Sequence, residues 1–351
     1  MPPQNRAAWL MNKQDPVFIV KEAPYTAPEP NEIVIKTAAV AINPADIICQ
    51  KLGIIIPHYP AILGCDAAGT IIALGSSIPP SFKIGDRVLG NARPDKPLLP
   101  SGIYKYSAFQ QYVVLKLPLI AKIPESATFE DAVVLPLGLL ASSACLFHSS
   151  TLGLAMPPRE QESGSGSGRG EVLLVWGASS SVGCCGVQLA IAAGYEVFGV
   201  ASARNHQMVR SVGASKVFDQ ADKDLVEQVV DALKGKQCVG AFDAISKPET
   251  LGPLCDILDG AGGRKLVAAI APGAEGHAKK GVTIRTNFGA RDFEETVGPK
   301  IFGGFLERAL EEGSFRYLPV AEVVGRGLED IQKACDILAQ GVSAKKVVVS
   351  L

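Results

Sequence analysis

The stretch Glu171 to Ala193, EVLLVWGASSSVGCCGVQLAIAA, limits what this chain can fold into more than any other. Val172 to Trp176 form an unbroken apolar run, the pattern of a strand buried on both faces. Small residues follow from Gly177 to Gly183, and a helical run then places Val187, Ile191 and Gly194 on one packed face. A strand, a tight turn of small residues and a helix make the opening unit of a dinucleotide-binding fold. The turn must be small because a pyrophosphate lies against its backbone. The helix start offers that anion unpaired N–H groups and the positive end of its dipole.

The turn departs from the plain GxGxxG pattern, because Ser179 stands where a glycine is expected. Gly177 and Gly183 remain, and Gly186 follows. Ser179, Ser180 and Ser181 bring hydroxyl donors for phosphate oxygens, with Val182 next to them at the helix start. The next strand, Glu196 to Val200, ends in Ala201-Ser202-Ala203-Arg204-Asn205. A site for NAD carries Asp or Glu about 20 residues beyond the turn, to hold the ribose 2′-OH. No acid occupies this stretch, and Ser202, Arg204 and Asn205 stand where a carboxylate would repel a 2′-phosphate. NADP(H) is therefore the expected cofactor.

The 351 residues allow one or two domains, and 47% hydrophobic content with 20% charged residues is ample for large cores. A formal net charge of −1 gives no electrostatic case for nucleic acid or an anionic membrane. No basic segment leads into an apolar run at the N-terminus, so no secretory signal is expected and a cytoplasmic location is. The apolar run Ala132 to Ser150 carries Pro136 and Gly138 and reads as a buried helix. Eight scattered cysteines without a CxxC pair read as reduced core thiols. Cys184-Cys185 stands at a helix start, where a thiol pKa falls and oxidation would touch cofactor binding; packing of two small residues against the sheet is the favoured reading.

Residues 1 to about 125 read as β-rich, with strands at Ala7–Trp9, Phe18–Lys21, Glu32–Ile42, Ala67–Leu74, Arg87–Leu89 and Ala108–Leu115 and a Pro-rich loop at 91–107. Thr128 is an N-cap candidate with Asp131 three residues on. Pro157 to Gly170 is a linker. Strands and helices then alternate: a helix from about Asn205, Lys216–Phe218, a helix at Asp222–Leu233, Gly240–Asp243, a helix at Pro248–Leu258 and Lys265–Ala269. Val282–Thr286 reads as an edge strand, Glu294–Glu312 and Leu328–Leu338 as helices, and Lys345–Ser350 as a closing strand. The alternation means a parallel sheet with helices on both faces. The fold class is α/β, with a β-rich domain of residues 1–128 completed by 291–351 and a doubly wound domain of 129–290. The active site is expected in the cleft between them.

In order along the chain stand Asn43-Pro44-Ala45-Asp46, then PAILGCDAAG at 60–69, Gly85-Asp86-Arg87-Val88, Leu135-Pro136-Leu137-Gly138 and the phosphate turn. With these motifs nearly the whole chain resembles the medium-chain dehydrogenase/reductase superfamily. The resemblance is to its zinc-free quinone oxidoreductase and enoyl reductase branch, including fungal proteins called zinc-binding alcohol dehydrogenases and trans-acting enoyl reductases. It implies a GroES-like catalytic domain beside a Rossmann domain. It also implies cofactor contacts at Ile245-Ser246 and Ala269-Ile270, and at Ser142, which follows Ala141 where relatives often have Thr. Zinc-bearing members place Cys where Asn43-Pro44 stands and Gly-His-Glu where Gly64-Cys65-Asp66 stands, so no metal is expected here.

Without a Lewis acid, reduction of an activated C=C is the easier chemistry. NADPH delivers hydride to an enone, enoyl or quinone carbon, hydrogen bonds hold the enolate, and a proton follows. The donors usual in this family are absent, since Ile54 and Ile48 hold their positions. His58 and Tyr59 are near enough in sequence to substitute, while Asn43 and Asp46 are placed to orient substrate or water. The apolar Ile54–Ile56 run suggests a lipophilic substrate, and the resemblance adds a polyketide synthase as a partner. Three readings stay open: a C=C reductase, an NADPH-binding sensor or scaffold with little catalysis, and a zinc-free carbonyl reductase. Monomer and homodimer are both open, the latter through the edge strand.

Overall fold

The computed structural model describes residues 3–56, 58–92, 104–158 and 170–351. The linker and most of the Pro-rich loop expected from the sequence lie outside them. The chain divides into two compact units, Met1–Leu137 with Leu306–Leu351, and Gly138–Phe305.

In the first unit, β1 (Asn5–Leu10), β2 (Ile19–Ala23) and β3 (Glu32–Ala41) lead into α1 (Pro44–Leu52). Then come β4 (Ala61–Ile62), β5 (Asp66–Leu74), β6 (Arg87–Asn91), β7 (Tyr112–Lys116) and β8 (Ile120–Lys122). Helix α1 was not expected. Asn43 precedes it in extended conformation, Pro44 supplies a pre-set φ at its first position, and Gly53 ends it in the left-handed region at φ 60°. Ala108 to Gln111, expected as strand, contributes only a bridge between Ala7 and Gln110.

At Thr128 the side chain accepts from the N–H of Asp131, starting α2 (Phe129–Ala132), and α3 (Pro136–Phe147) follows. The span Phe129–Phe147 is long and apolar enough to cross a bilayer by composition, but 72% of its apolar window is buried inside the protein.

The second unit continues with β9 (Glu171–Trp176), α4 (Ser181–Ala192), β10 (Glu196–Ala201), α5 (His206–Ser211), β11 (Lys216–Asp219) and α6 (Leu225–Leu233). It ends its alternation with β12 (Gln237–Asp243), α7 (Pro248–Ala261), β13 (Leu266–Ala269) and β14 (Thr283–Thr286). Among the described residues these strands form one parallel sheet in the order β11-β10-β9-β12-β13-β14. The order reverses direction at β9, so the crevice beyond its carboxyl end is the place where such sheets take ligands. Strand β14 is an edge, as expected, and its residues alternate between exposed and buried.

The helix expected over Glu294–Glu312 is broken into α8 (Phe293–Thr296), α9 (Gly298–Lys300), a π-helical turn at Ile301–Leu306 and α10 (Glu307–Glu311). Pro299 within it and Gly303-Gly304 weaken the regular helix. An unexpected strand, β15 (Val320–Arg326), precedes α11 (Ile331–Ala339) and β16 (Lys345–Ser350). Strand β16 joins β3, so the main sheet of the first unit runs β15-β16-β3-β5-β6-β8, with β7 also on β3. The last residues of the chain thus lie beside Ala39–Ala41, which lead directly to Asn43.

Lys105 is buried in this unit against two carboxylates. Its Nζ lies 2.8 Å from Glu29 Oε1 and 3.0 Å from both oxygens of Glu32, itself buried. Removing one partner of such a pair strands the other charge away from water. Lys105→Met is expected to cost about 3–5 kcal/mol, read as a lower urea midpoint, because Glu32 stays buried without its cation. A change under about 1 kcal/mol would show that Glu32 finds water or a proton at little cost.

Candidate active site

The phosphate turn is built by close backbone approach. The N–H groups of Gly177 and Ala178 both donate to Val200 O, at 3.0 and 3.1 Å, which ties the turn to β10. Gly177 has φ 71°, and a Cβ there would lie 2.6 Å from Ile245 Cγ1. A Cβ on Gly183 would lie 2.1 Å from Gly177 O, so no side chain fits. Ser180 is the N-cap of α4, and its Oγ accepts from Gly183 N at 2.9 Å, which leaves its O–H to donate. Ser181 and Val182 open the helix, where backbone N–H groups have no intrahelical acceptor. Ser179, Ser180, Ser181 and Val182 are all partly exposed.

Asn205 lies close to this turn, since its Nδ2 donates to Ser179 Oγ at 3.1 Å. Ser202 follows β10, and Arg204 is exposed, with no partner for its guanidinium among the described residues. At the end of β12 the carboxylate of Asp243, fully buried, accepts from the N–H groups of Ile245 and Ser246 at 2.9 and 3.0 Å. Ser246, at φ 60°, accepts on its Oγ from Ile270 N at 2.8 Å. Ile245 and the Ala269-Ile270 step are therefore tied together by Ser246, which the resemblance places beside Ile245, and by Asp243, which it does not name. Asp243 closes a turn two to three residues ahead of itself, a pattern readable in sequence as an Asx-type turn.

One expectation needs correction. Ser142 is fully buried, and its hydroxyl donates to Gly138 O at 2.7 Å within its own helix, so its proton is already engaged. Cys184 and Cys185 are buried too, in line with the favoured reading of two small residues packed against the sheet. Burial holds the Cys184 thiol far above its usual range, outweighing any help from the helix dipole.

In the first unit the structure brings Asn43, Asp46 and Asp66 together with Lys346 of β16. Lys346 Nζ donates to Asn43 Oδ1 at 2.6 Å and lies 2.9 Å from Asp66 Oδ2. Asn43 Nδ2 donates to the same Asp66 oxygen at 2.9 Å, and Leu137 N donates to Asp66 Oδ1 at 2.7 Å. Asn43 N donates to Asp46 Oδ2 at 2.8 Å. All four side chains are buried, so Asn43 and Asp46 face the interior of the unit. Lys346 had no place in the sequence reading, because it lies some three hundred residues from Asn43.

His58 is exposed, and its carbonyl accepts from the Tyr104 hydroxyl. Tyr59 packs its ring on the core; its hydroxyl is enclosed, with no partner among the described residues, and burial raises its pKa. Ile54 and Ile55 are exposed and Ile56 is buried; Ile55 has φ 73°, a strained value for a β-branched residue.

These donors do not fit a zinc ion. Both oxygens of Asp66 are engaged, and an ammonium already lies against them. Among the described residues no three His, Cys, Asp or Glu side chains converge.

Burial pushes the Asp46 carboxyl up to about 7 from its ordinary 3.8; the N–H groups of Asn43 and Gly64 pull it down and the Asp66 charge pushes it further up. Between those values the folded chain binds a proton that the unfolded chain does not. Asp46 therefore stabilises the fold below its unfolded pKa, and that contribution is lost as pH rises through its folded pKa. Asp46→Asn removes the titration. Its melting temperature relative to wild type should rise from about pH 4 to about pH 7 and level off above that, and a difference independent of pH would contradict the assignment.

Known proteins resemble this chain in both of its domains. The alcohol dehydrogenase GroES-like domain family matches residues 29–125, and the zinc-binding dehydrogenase family matches 181–295. The dehydrogenase pigH of Monascus ruber is 39% identical over 378 residues, covering 99% of this chain and 100% of that one. The trans-enoyl reductase himH of Aspergillus japonicus is 34% identical over 349 residues, covering 99% and 97%. The quinone oxidoreductase of Coxiella burnetii shares the fold, with a TM-score of 0.70 at 21% identity over 99% of this chain and 100% of that one. Two domain families in order and full-length relatives support one conclusion: the chain belongs to the medium-chain dehydrogenase/reductase superfamily, as an oxidoreductase with a GroES-like and a Rossmann domain.

Proposed function

We propose that this protein reduces an activated C=C bond of a lipophilic small molecule, an enone, enoyl or quinone, using NADPH and no zinc. The observation that carries this reading is the Lys346 ammonium lodged between Asn43 and Asp66 in one unit, in a chain whose other unit holds an intact phosphate turn. An alkoxide has no Lewis acid there, whereas conjugate reduction needs only orientation and hydrogen bonding.

On this reading Ser179, Ser180, Ser181, Val182 and Gly183 bind the pyrophosphate with hydroxyls and helix N–H groups, over the tight approach at Gly177. Ser202, Arg204 and Asn205 hold the 2′-phosphate, and Ile245, Ala269 and Ile270 flank the rings. When bound, the reduced nicotinamide supplies a hydride. Of the proton-donor candidates His58 is the exposed one, so His58 or water delivers the proton, while Tyr59 is enclosed. Asn43 and Asp46 act as positioning residues, because their polar atoms are engaged inside the unit. The exposed Ile54 and Ile55 suit an apolar substrate chain. Relatives named trans-enoyl reductases make an enoyl thioester of the polyketide kind one candidate, and with it a polyketide synthase as partner.

The test is titration with NADPH and NADH, followed by loss of the reduced-nicotinamide signal when enones, enoyl thioesters and quinones are added. Tighter binding of NADPH with turnover is expected, and a product that keeps its carbonyl separates this reading from carbonyl reduction. Arg204→Ala should weaken NADPH about tenfold, roughly 1.4 kcal/mol, and leave NADH nearly unchanged. Equal weakening of both would remove Arg204 from the 2′-phosphate site. Tight binding without turnover across the panel would favour a sensor or scaffold.

A further inference from the structure

Asp66 does more than balance a buried lysine. Its Oδ1 accepts from Leu137 N at 2.7 Å, and Leu137 is the second residue of α3. A first-turn N–H has no acceptor within its own helix, so this carboxylate supplies one and sits at the favourable end of the helix dipole. Asp66 has no exposure to solvent, and its other oxygen is covered by Lys346 Nζ and Asn43 Nδ2, each at 2.9 Å. The carboxylate cannot turn away from Leu137 without breaking those bonds.

The next residue along the helix is Gly138, which abuts the phosphate turn. A Cβ at position 138 would lie 2.9 Å from Ser181 Oγ and 3.0 Å from Ser181 O. There is no slack at that approach, and Ser181 is the first residue of α4. One covalent step therefore separates a backbone group pinned by Asp66 from a backbone surface that holds the start of α4.

We propose that Lys346 is a positioning residue for the cofactor site: by locking Asp66 onto the N–H of Leu137 it fixes the first turn of α3, and with it the packing of Gly138 against Ser181 of the phosphate turn. This rests on the reading of that turn as the pyrophosphate site. Without the ammonium, Asp66 is a buried carboxylate lacking its cation. It then takes up a proton or water and loosens its hold on Leu137. The effect reaches the nucleotide although Lys346 touches none of the residues assigned to it.

The experiment measures NADPH affinity for the full chain by fluorescence titration, well below the melting temperature, in wild type, Lys346→Met, Lys346→Arg and the double variant Lys346→Met/Asp66→Asn. Lys346→Met should raise the NADPH Kd about tenfold, with Lys346→Arg recovering most of the loss because it keeps the charge on Asp66. A folded Lys346→Met with wild-type Kd and only a lowered melting temperature would overturn the proposal. If Lys346→Met does not fold, the double variant decides, because it removes the stranded charge together with the lock. A Kd raised at least threefold in the double variant supports the proposal, and a wild-type Kd overturns it. Wild-type protein that binds neither nucleotide overturns the pyrophosphate reading and this proposal together, whereas binding that is insensitive to Lys346 overturns the positioning role alone.

Discussion

The ion pair between Lys346 and Asp66 is the contact on which the arrangement of the first unit depends. Two opposite charges taken out of water are tolerated only when their geometry is tight and their remaining lone pairs and protons are satisfied. Here the satisfying groups come from distant parts of the chain: the amide of Asn43 before α1, the N–H of Leu137 in α3, and β16 beside β3. Each partner is placed by a different element, so the pair forms only after the sheet is complete. It acts as a test of correct assembly as much as a source of stability.

The second unit relies on the opposite device, the removal of side chains. A Cβ on Gly183 would press into Gly177 O and force backbone apart, and one on Gly138 would crowd Ser181. One unit is thus organised by charge at its centre and the other by the lack of atoms at its turn. These are different solutions to one problem, which is how to hold backbone N–H groups in fixed directions.

This difference explains what could be read from the sequence. The parallel sheet and the phosphate turn follow from apolar runs and small residues that are neighbours in the chain, and local pattern suffices for them. Helix α1 is legible in principle from Asn43, Pro44 and Gly53, but at nine residues it is too short for its period to stand out. Strand β15 escaped because Val320 and Val323 stay substantially exposed at a sheet edge, where no burial pattern marks a strand. Ser142 looked available because its hydroxyl sits at the right place in the chain, and only the helix geometry shows it bonded to Gly138 O. Asn43, Asp66 and Leu137 lie in motifs that the sequence displays, but periodicity and spacing cannot relate them to one another or to Lys346.

The burial of the cysteines takes on a meaning once the proposed chemistry is considered. Enones and quinones are soft electrophiles, and the species that they alkylate is the thiolate. Seven of the eight cysteines are buried, and burial holds Cys49, Cys145, Cys184, Cys238, Cys255 and Cys335 protonated. A catalyst for such compounds would meet them at high local concentration for its whole working life. Its interior sulfur is then a packing material that its own substrates cannot reach, and Cys65, the partly exposed exception, is where wear would begin.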